Sequence, residues 1–142
     1  MPVGLSEVRA GRGFAGRLAT GSDLVEEIER FCVERGILAA QVTVIGAVRH
    51  ARYAYYEQDG HRYRELESAT HHEIVGFTGN VSLRDDRPFL HAHATFADAS
   101  GATVGGHLMR GCEVFAAEVM IRELAGVTLV RMPDEETGLA LW

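Results

Sequence analysis

Residues 91–108 read HAHATFADASGATVGGHL, three of the chain's seven histidines within one short run. FLHAHATFA (89–97) and TVGGHLMRG (103–111) each read as a strand, and Asp98-Ala99-Ser100-Gly101-Ala102 lies between them. Taking Ala99-Ser100-Gly101 as a three-residue hairpin loop puts Gly101 at the left-handed position such loops require. Asp98 then faces Ala102, and counting outward places His93 opposite His107. Strand side chains alternate between faces, so His91 shares the face of His93 and lies diagonal to His107. Directly opposed Cβ atoms are about 4.5–5.5 Å apart and diagonal ones about 7–8 Å. Those separations suit three imidazole nitrogens, each about 2.0–2.1 Å from one Zn²⁺. Three histidines and an open fourth position describe an accessible site for a divalent metal, zinc by preference. Gly105 and Gly106 would clear space beside the ion or form a bulge that re-aims His107.

A histidine hairpin needs further strands to pair with, and the rest of the chain offers them. ILAAQVTVIGAV (37–48) is rich in β-branched residues and reads as a buried strand, with Gly46 marking a bulge or bend. ARYAYYEQ (51–58) and HRYRELES (61–68) flank Asp59-Gly60, a two-residue hairpin signal. Tyr53, Tyr55, Tyr56 and Tyr63 would give that hairpin an aromatic surface. HEIVGFTGNVSLRD (72–85) reads as a strand ending in a turn at Asp85-Asp86. CEVFAAEVMIREL (112–124) is rich in helix formers, yet Phe115, Ala117, Val119 and Ile121 alternate with their neighbours. It is assigned to strand because the other strands need partners. GFAGRLATG (13–21) reads as a first strand and LVRM (129–132) as a short last one.

One segment has helical spacing. In GSDLVEEIERFCVERG, Ser22 is placed as N-cap, and Asp23, Glu26 and Glu27 suit the positive end of the helix dipole. Leu24, Ile28, Phe31 and Cys32 form one apolar face, Arg35 sits in the last turn, and Gly36 ends the helix. The remaining charged face reads as solvated. The expected architecture is an α+β fold, mainly antiparallel β-sheet covered by at least one α-helix.

At 142 residues, without a repeat or linker and with prolines only at 2, 88 and 133, the chain reads as a single domain over 1–142 with its core at about 13–132. The net charge of −6 counts against non-specific binding to nucleic acid or an anionic membrane. Cys32 and Cys112 form no CxxC pair and read as buried thiols of a reducing compartment. No segment reads as a signal peptide or a membrane span, so the expected location is the cytoplasm. His50, His61, His71 and His72 show no convergence, and the last two point to opposite faces of a strand.

Several segments together resemble the plant and prokaryote conserved (PPC) domain family: LATGSDLVEEIERFCVERGI, VIGAV, EIVGFTGNVS, RPFLHAHATFAD and GGHLMRGCEVFAAEVMI. The match runs from about Phe14 to Leu124, and HxH followed by GGHL is its most telling part. The resemblance implies a PPC-like α+β domain assembling as a homotrimer. It implies that His91, His93 and His107 hold a metal, often zinc. It matches recurrent acidic positions to Glu73 and Glu118, and recurrent glycines to Gly46, Gly79, Gly105 and Gly106. Either carboxylate could orient a ligand histidine or act as a general base. Equally, either could be satisfied by nearby backbone or by a subunit contact.

Plant members of the family carry an AT-hook, an Arg-Gly-Arg-Pro core that enters the narrow minor groove of A·T-rich DNA. The nearest stretch here, Arg9-Ala10-Gly11-Arg12-Gly13, has no proline and only two arginines. Three functions therefore stand. The first is a trimeric metal-binding protein whose open position takes water or a small ligand, with no nucleophile or nucleotide-binding motif to define a reaction. The second is a DNA-associated regulator acting without an AT-hook, disfavoured by the acidic charge. The third is a trimeric interaction module built on the EIVGFTGN segment and the tyrosine-rich hairpin.

Overall fold

The computed structural model describes residues 4–142, so Pro2 lies outside the described part. Nine strands and one helix follow in the order β1 (Arg9–Leu18), α1 (Leu24–Arg35), β2 (Ala40–Glu57), β3 (Arg62–Ser68), β4 (His72–Arg84), β5 (Arg87–Ala97), β6 (Thr103–Leu108), β7 (Glu113–Ala125), β8 (Met132–Pro133) and β9 (Ala140–Leu141). Seven of the strands form one antiparallel sheet, and β8 and β9 form a separate small ribbon. This is the α+β class expected, a mainly antiparallel sheet covered by one helix. No helix among the described residues is long and apolar enough to cross a membrane.

The helix start departs from expectation by one residue. Asp23, not Ser22, is the N-cap: its carboxylate accepts from the Val25 and Glu26 N–H groups, both at 2.9 Å. The Ser22 hydroxyl is already committed to the Ala19 carbonyl at 2.6 Å, closing the turn before the helix. Asp23 also accepts from the Gly111 N–H, so the cap ties the helix to the end of the histidine hairpin. Gly36 ends the helix as expected, with a left-handed φ of 64°. Leu24, Ile28 and Cys32 are buried, and Phe31 meets Phe14 of β1 edge to face at 5.1 Å. The charged face is not wholly solvated: Glu29 is buried, accepts from the Leu90 N–H at 3.0 Å and pairs with Arg110.

The sheet runs β1-β7-β2-β4-β5-β6, and β6 pairs back onto β2 at Tyr53 and Ala54, so part of it closes on itself. Closure depends on β2. The sequence reads residues 37–48 and 51–58 as two strands, but β2 is one strand of 18 residues. Its first half pairs with β7 and β4, its second half with β3 and β6. Register shifts beside Gly46 and between Ala47 and His50 let it curve between these two sets of partners without breaking. The inward side chains of the sheet meet α1 to make the core, which includes Val42, Val48, Val81, Phe96 and Val114.

Other boundaries move for local reasons. Segment 112–124 is a strand, because both its edges pair, with β1 and with β2. Phe115 nevertheless leaves the buried face, because Ala47 pairs with Ala116 and Val48 with Val114, which skips Phe115 at a bulge. The first strand begins earlier than residue 13 and ends at Leu18, where the chain turns to reach the helix. The sixth ends at Leu108, not 111, because Met109 then donates to the Arg52 carbonyl. The turn after β2 is not the two-residue Asp59-Gly60 type: Glu57 pairs with Arg62, and His61 takes the left-handed conformation at φ 47°. LVRM is not a strand of the main sheet. Val130 makes only a parallel bridge to Leu83, and Met132–Pro133 pairs with Ala140–Leu141.

Candidate metal centre

The β5–β6 hairpin has the register expected. Ala97 pairs with Thr103 and His93 with His107, with no irregularity between them. Asp98 donates to the Ala102 carbonyl at 2.9 Å, and Gly101 holds φ 82° at the loop's left-handed position. The Asp98 carboxylate accepts from the Ser100 N–H at 2.8 Å and from its hydroxyl at 2.6 Å, stiffening the tip. Along β5, Leu90, Ala92, Ala94 and Phe96 are buried in the core, which leaves His91 and His93 on the opposite face.

The three imidazoles converge. One nitrogen from each of His91, His93 and His107 lies within 4.8 Å of the other two. His91 Nε2 and His93 Nε2 are 3.3 Å apart. Two ligands about 2.0–2.1 Å from one tetrahedral ion are themselves about 3.3 Å apart, so this spacing suits a tetrahedrally bound metal ion. His91 and His107 are half-buried and His93 is exposed, so the cluster opens to solvent on one side. Burial first, then Arg131 and His93, pushes His91 down to about 4. Burial first, then His91, His93 and Arg131, pushes His107 down to about 4. At neutral pH both rings are therefore uncharged, the state in which imidazole ligates a metal.

The glycine pair acts differently from expectation. The register through Gly105 and Gly106 is regular, so no bulge forms between β5 and β6. A Cβ on Gly105 would collide with the Ala94 carbonyl oxygen of β5, and one on Gly106 with the Ala54 carbonyl oxygen of β2. The glycines let β6 fit between its two neighbours at the closure, and that fit delivers His107 beside His93.

The tyrosines divide by strand alternation. Tyr53 and Tyr55 share one face of β2, the first buried near Phe96 and the second exposed where the core ends. Tyr56 and Tyr63 lie on the histidine side, with the Tyr63 ring centroid 4.7 Å from that of His107. Burial, then Tyr56, raises the Tyr63 phenol above its ordinary value. The Tyr56 hydroxyl donates to the Thr137 carbonyl at 2.6 Å, anchoring the C-terminal segment across this face.

Arg131 is the neighbour that the sequence did not single out. It is 8% exposed. Its guanidinium donates to the Ser82 hydroxyl at 2.8 Å, the Ala140 carbonyl at 3.0 Å and the Asn80 side-chain oxygen at 3.0 Å. It also lies 3.4 Å from His91 Nδ1. No motif signals it, because LVRM reads only as a strand. The one cue was compositional: an arginine in an apolar run.

Other candidate residues lie apart. Glu73 pairs with Ala97, four residues along β5 from His93, or roughly 13 Å at strand rise. Glu118 is on β7, opposite Ile45 and Arg17; β2 lies between it and β6, and Ile45 is nine residues along β2 from Ala54, the partner of His107. Of the other histidines, His72 is buried with Nδ1 2.8 Å from the Thr70 carbonyl, and His50 meets Glu67 at 3.2 Å. Cys32 and Cys112 are buried and not joined, and burial pushes their thiols up to about 12 and about 11.

This fold and hairpin match a known family. The model of the Plants and Prokaryotes Conserved (PCC) domain fits residues 5–125. The chain belongs to this family. Among solved PCC-like structures, one described as a metal-containing protein from Archaeoglobus fulgidus is 44% identical, with a TM-score of 0.94 over 99% of each chain. A plant- and prokaryote-conserved protein from Pyrococcus horikoshii is 34% identical, with a TM-score of 0.93 over 99% of this chain and 96% of that one. Among curated proteins, the bifunctional protein GlmU of a Synechococcus strain is 34% identical over 124 residues, 86% of this chain. The chain spans only 18–19% of the length of the curated relatives it matches.

Proposed function

We propose that this PCC-family protein holds one divalent metal ion, zinc by preference, through His91, His93 and His107, and leaves one coordination position for a small ligand. The observation that carries this reading is the meeting of three imidazole nitrogens within 4.8 Å on a solvent-open face. The 44% identical relative described as metal-containing supports it. A metal bound by three histidines supplies Lewis acidity and acidifies a bound water. The protein's own part is to keep the rings uncharged, to fix their spacing through the hairpin, and to wall the site with Tyr63.

Elemental analysis of protein purified without chelators tests this directly. The expected result is about one zinc per chain, lost in His93→Ala with the fold retained by circular dichroism. Wild type without metal, or a His93→Ala variant that keeps it, would end the reading.

We further propose a homotrimer working in the cytoplasm. Ile45, Phe115 and Met120 are large apolar side chains exposed on the outward face of β2 and β7, a surface suited to subunit contact. Two free thiols suit a reducing compartment. Light scattering at several concentrations checks the assembly, and a persistent monomer rejects it. DNA binding gains little support: Arg12, in the stretch nearest an AT-hook, forms an ion pair with Glu123 at 2.7 Å.

A further inference from the structure

We propose that Arg131 makes this site selective for an anion, and that the small ligand taken beside the metal is a carboxylate. The inference deepens the metal reading and rests on it.

The first support is an uncompensated charge. Arg131 is 8% exposed, yet its partners are a hydroxyl, a carbonyl, a side-chain amide and an imidazole, all neutral. It makes no ion pair among the described residues, and it is the one buried arginine among them. A buried guanidinium without a counter-charge is costly, and an anion nearby offsets that cost.

The second support is the donor count. A guanidinium has five N–H donors. Three are taken by Ser82, Ala140 and Asn80. The contact with His91 Nδ1 is long, at 3.4 Å. A neutral His91 that ligates metal through Nε2 carries its proton on Nδ1, so that nitrogen then cannot accept from Arg131. A metal held at Nε2 would therefore leave a guanidinium N–H and the Nδ1–H side by side without an acceptor. An anionic oxygen supplies that acceptor.

The third support is the sign of the whole site. Three neutral imidazoles add nothing to offset a divalent ion, and no carboxylate belongs to the cluster. Arg131 adds a further positive charge at its edge. A carboxylate fits this setting because it supplies acceptor oxygens and the negative charge that the site lacks. The Tyr63 ring, its centroid 4.7 Å from that of His107, walls the cluster beside that ligand.

The test uses the full chain reconstituted with Co²⁺, whose visible spectrum reports ligands entering the metal's coordination. Metal uptake is measured first; if none is taken up, the metal reading and this inference fail together. With metal bound, acetate is titrated against its neutral counterpart acetamide. Acetate should perturb the spectrum with saturation and acetamide should not; equal responses overturn the anion inference and leave the metal reading intact. In R131Q, metal stoichiometry should persist while acetate affinity falls about tenfold or more, the loss expected for one charge-assisted hydrogen bond. Unchanged affinity in a folded R131Q assigns acetate binding to the metal alone and overturns the role of Arg131. Because Arg131 also pins the C-terminal segment, a measurement on wild type stands beside the variant. In the Zn²⁺-loaded protein, the Arg131 Nε–H resonance should shift with acetate along a saturating curve and stay still with acetamide. An unmoved resonance at saturating acetate overturns the inference.

Discussion

The β5–β6 hairpin and the C-terminal segment 126–142 both reach the same site, and they do so by opposite physical routes. The hairpin is local. Gly101 sets the turn, the turn sets the register, and the register places His93 opposite His107. The C-terminal segment is long-range. Its main chain docks on Leu83 through two hydrogen bonds of 2.8 Å, and Arg131 reaches Ser82, Asn80 and His91 across about 40–50 positions of sequence. One region presents ligand atoms through its own turn and strand periodicity, with β2 only seating β6 from outside. The other presents a charge only because a distant strand supplies its partners. A binding site can thus be half written in a short motif and half assembled by packing.

That contrast can be broken or sharpened in four ways. The largest expected effect comes from the inner face of the hairpin. Phe96 is fully buried on β5, and Phe96→Ala should cost about 3–5 kcal/mol in urea unfolding, enough to release both regions together. A loss below about 1 kcal/mol would mean that the hairpin does not depend on the core beneath it.

Next comes pH. In the folded metal-free chain, His91 and His107 are each pushed down to about 4, against an unperturbed value near 6.5. Between those values the unfolded chain binds protons that the folded chain refuses. Their contribution to stability is therefore whole above about 6.5 and is lost as pH falls to about 4. Ring-proton NMR of the metal-free protein should show both histidines titrating near pH 4. A midpoint near 6.5 for either would detach it from the buried, Arg131-flanked setting.

A smaller effect isolates the C-terminal segment. Ser82 is fully buried and accepts from Arg131 Nε. Ser82→Ala leaves that donor without its partner and should cost about 1–3 kcal/mol. Metal stoichiometry should stay as in wild type, because the hairpin geometry is untouched. Loss of metal in a folded Ser82→Ala protein would show that the two regions are not separable.

The smallest change probes the hairpin tip. Gly101→Ala forces a side chain into φ 82° and should cost about 1–2 kcal/mol. Asp98 holds the loop through Ser100, so the register and the metal should survive. Loss of the histidine cluster in this variant would place the whole register on Gly101.

How much of this was legible in sequence follows from the range of each interaction. The helix was legible except for its cap, because Ser22 and Asp23 are both good caps and only the turn at Ala19 decides between them. Segment 112–124 was legible as strand through its alternation, but not the bulge at Phe115, which exists only in register with β2. Residues 37–58 looked like two strands because a curved strand pairing with four others has no local signature. The glycine pair was legible as a place needing space, but the carbonyls that demand it belong to β5 and β2.

By itself, the sequence determined the α+β class, the histidine hairpin with its register, and the family. These rest on periodicity and turn chemistry, which act between residues close along the chain. Only the tertiary structure decided that β2 closes the sheet onto β6, that Glu73 and Glu118 lie apart from the histidines, and that Arg131 sits beside His91. Those outcomes depend on which distant backbones meet, and strand pairing between remote segments is governed by the packing of the whole core.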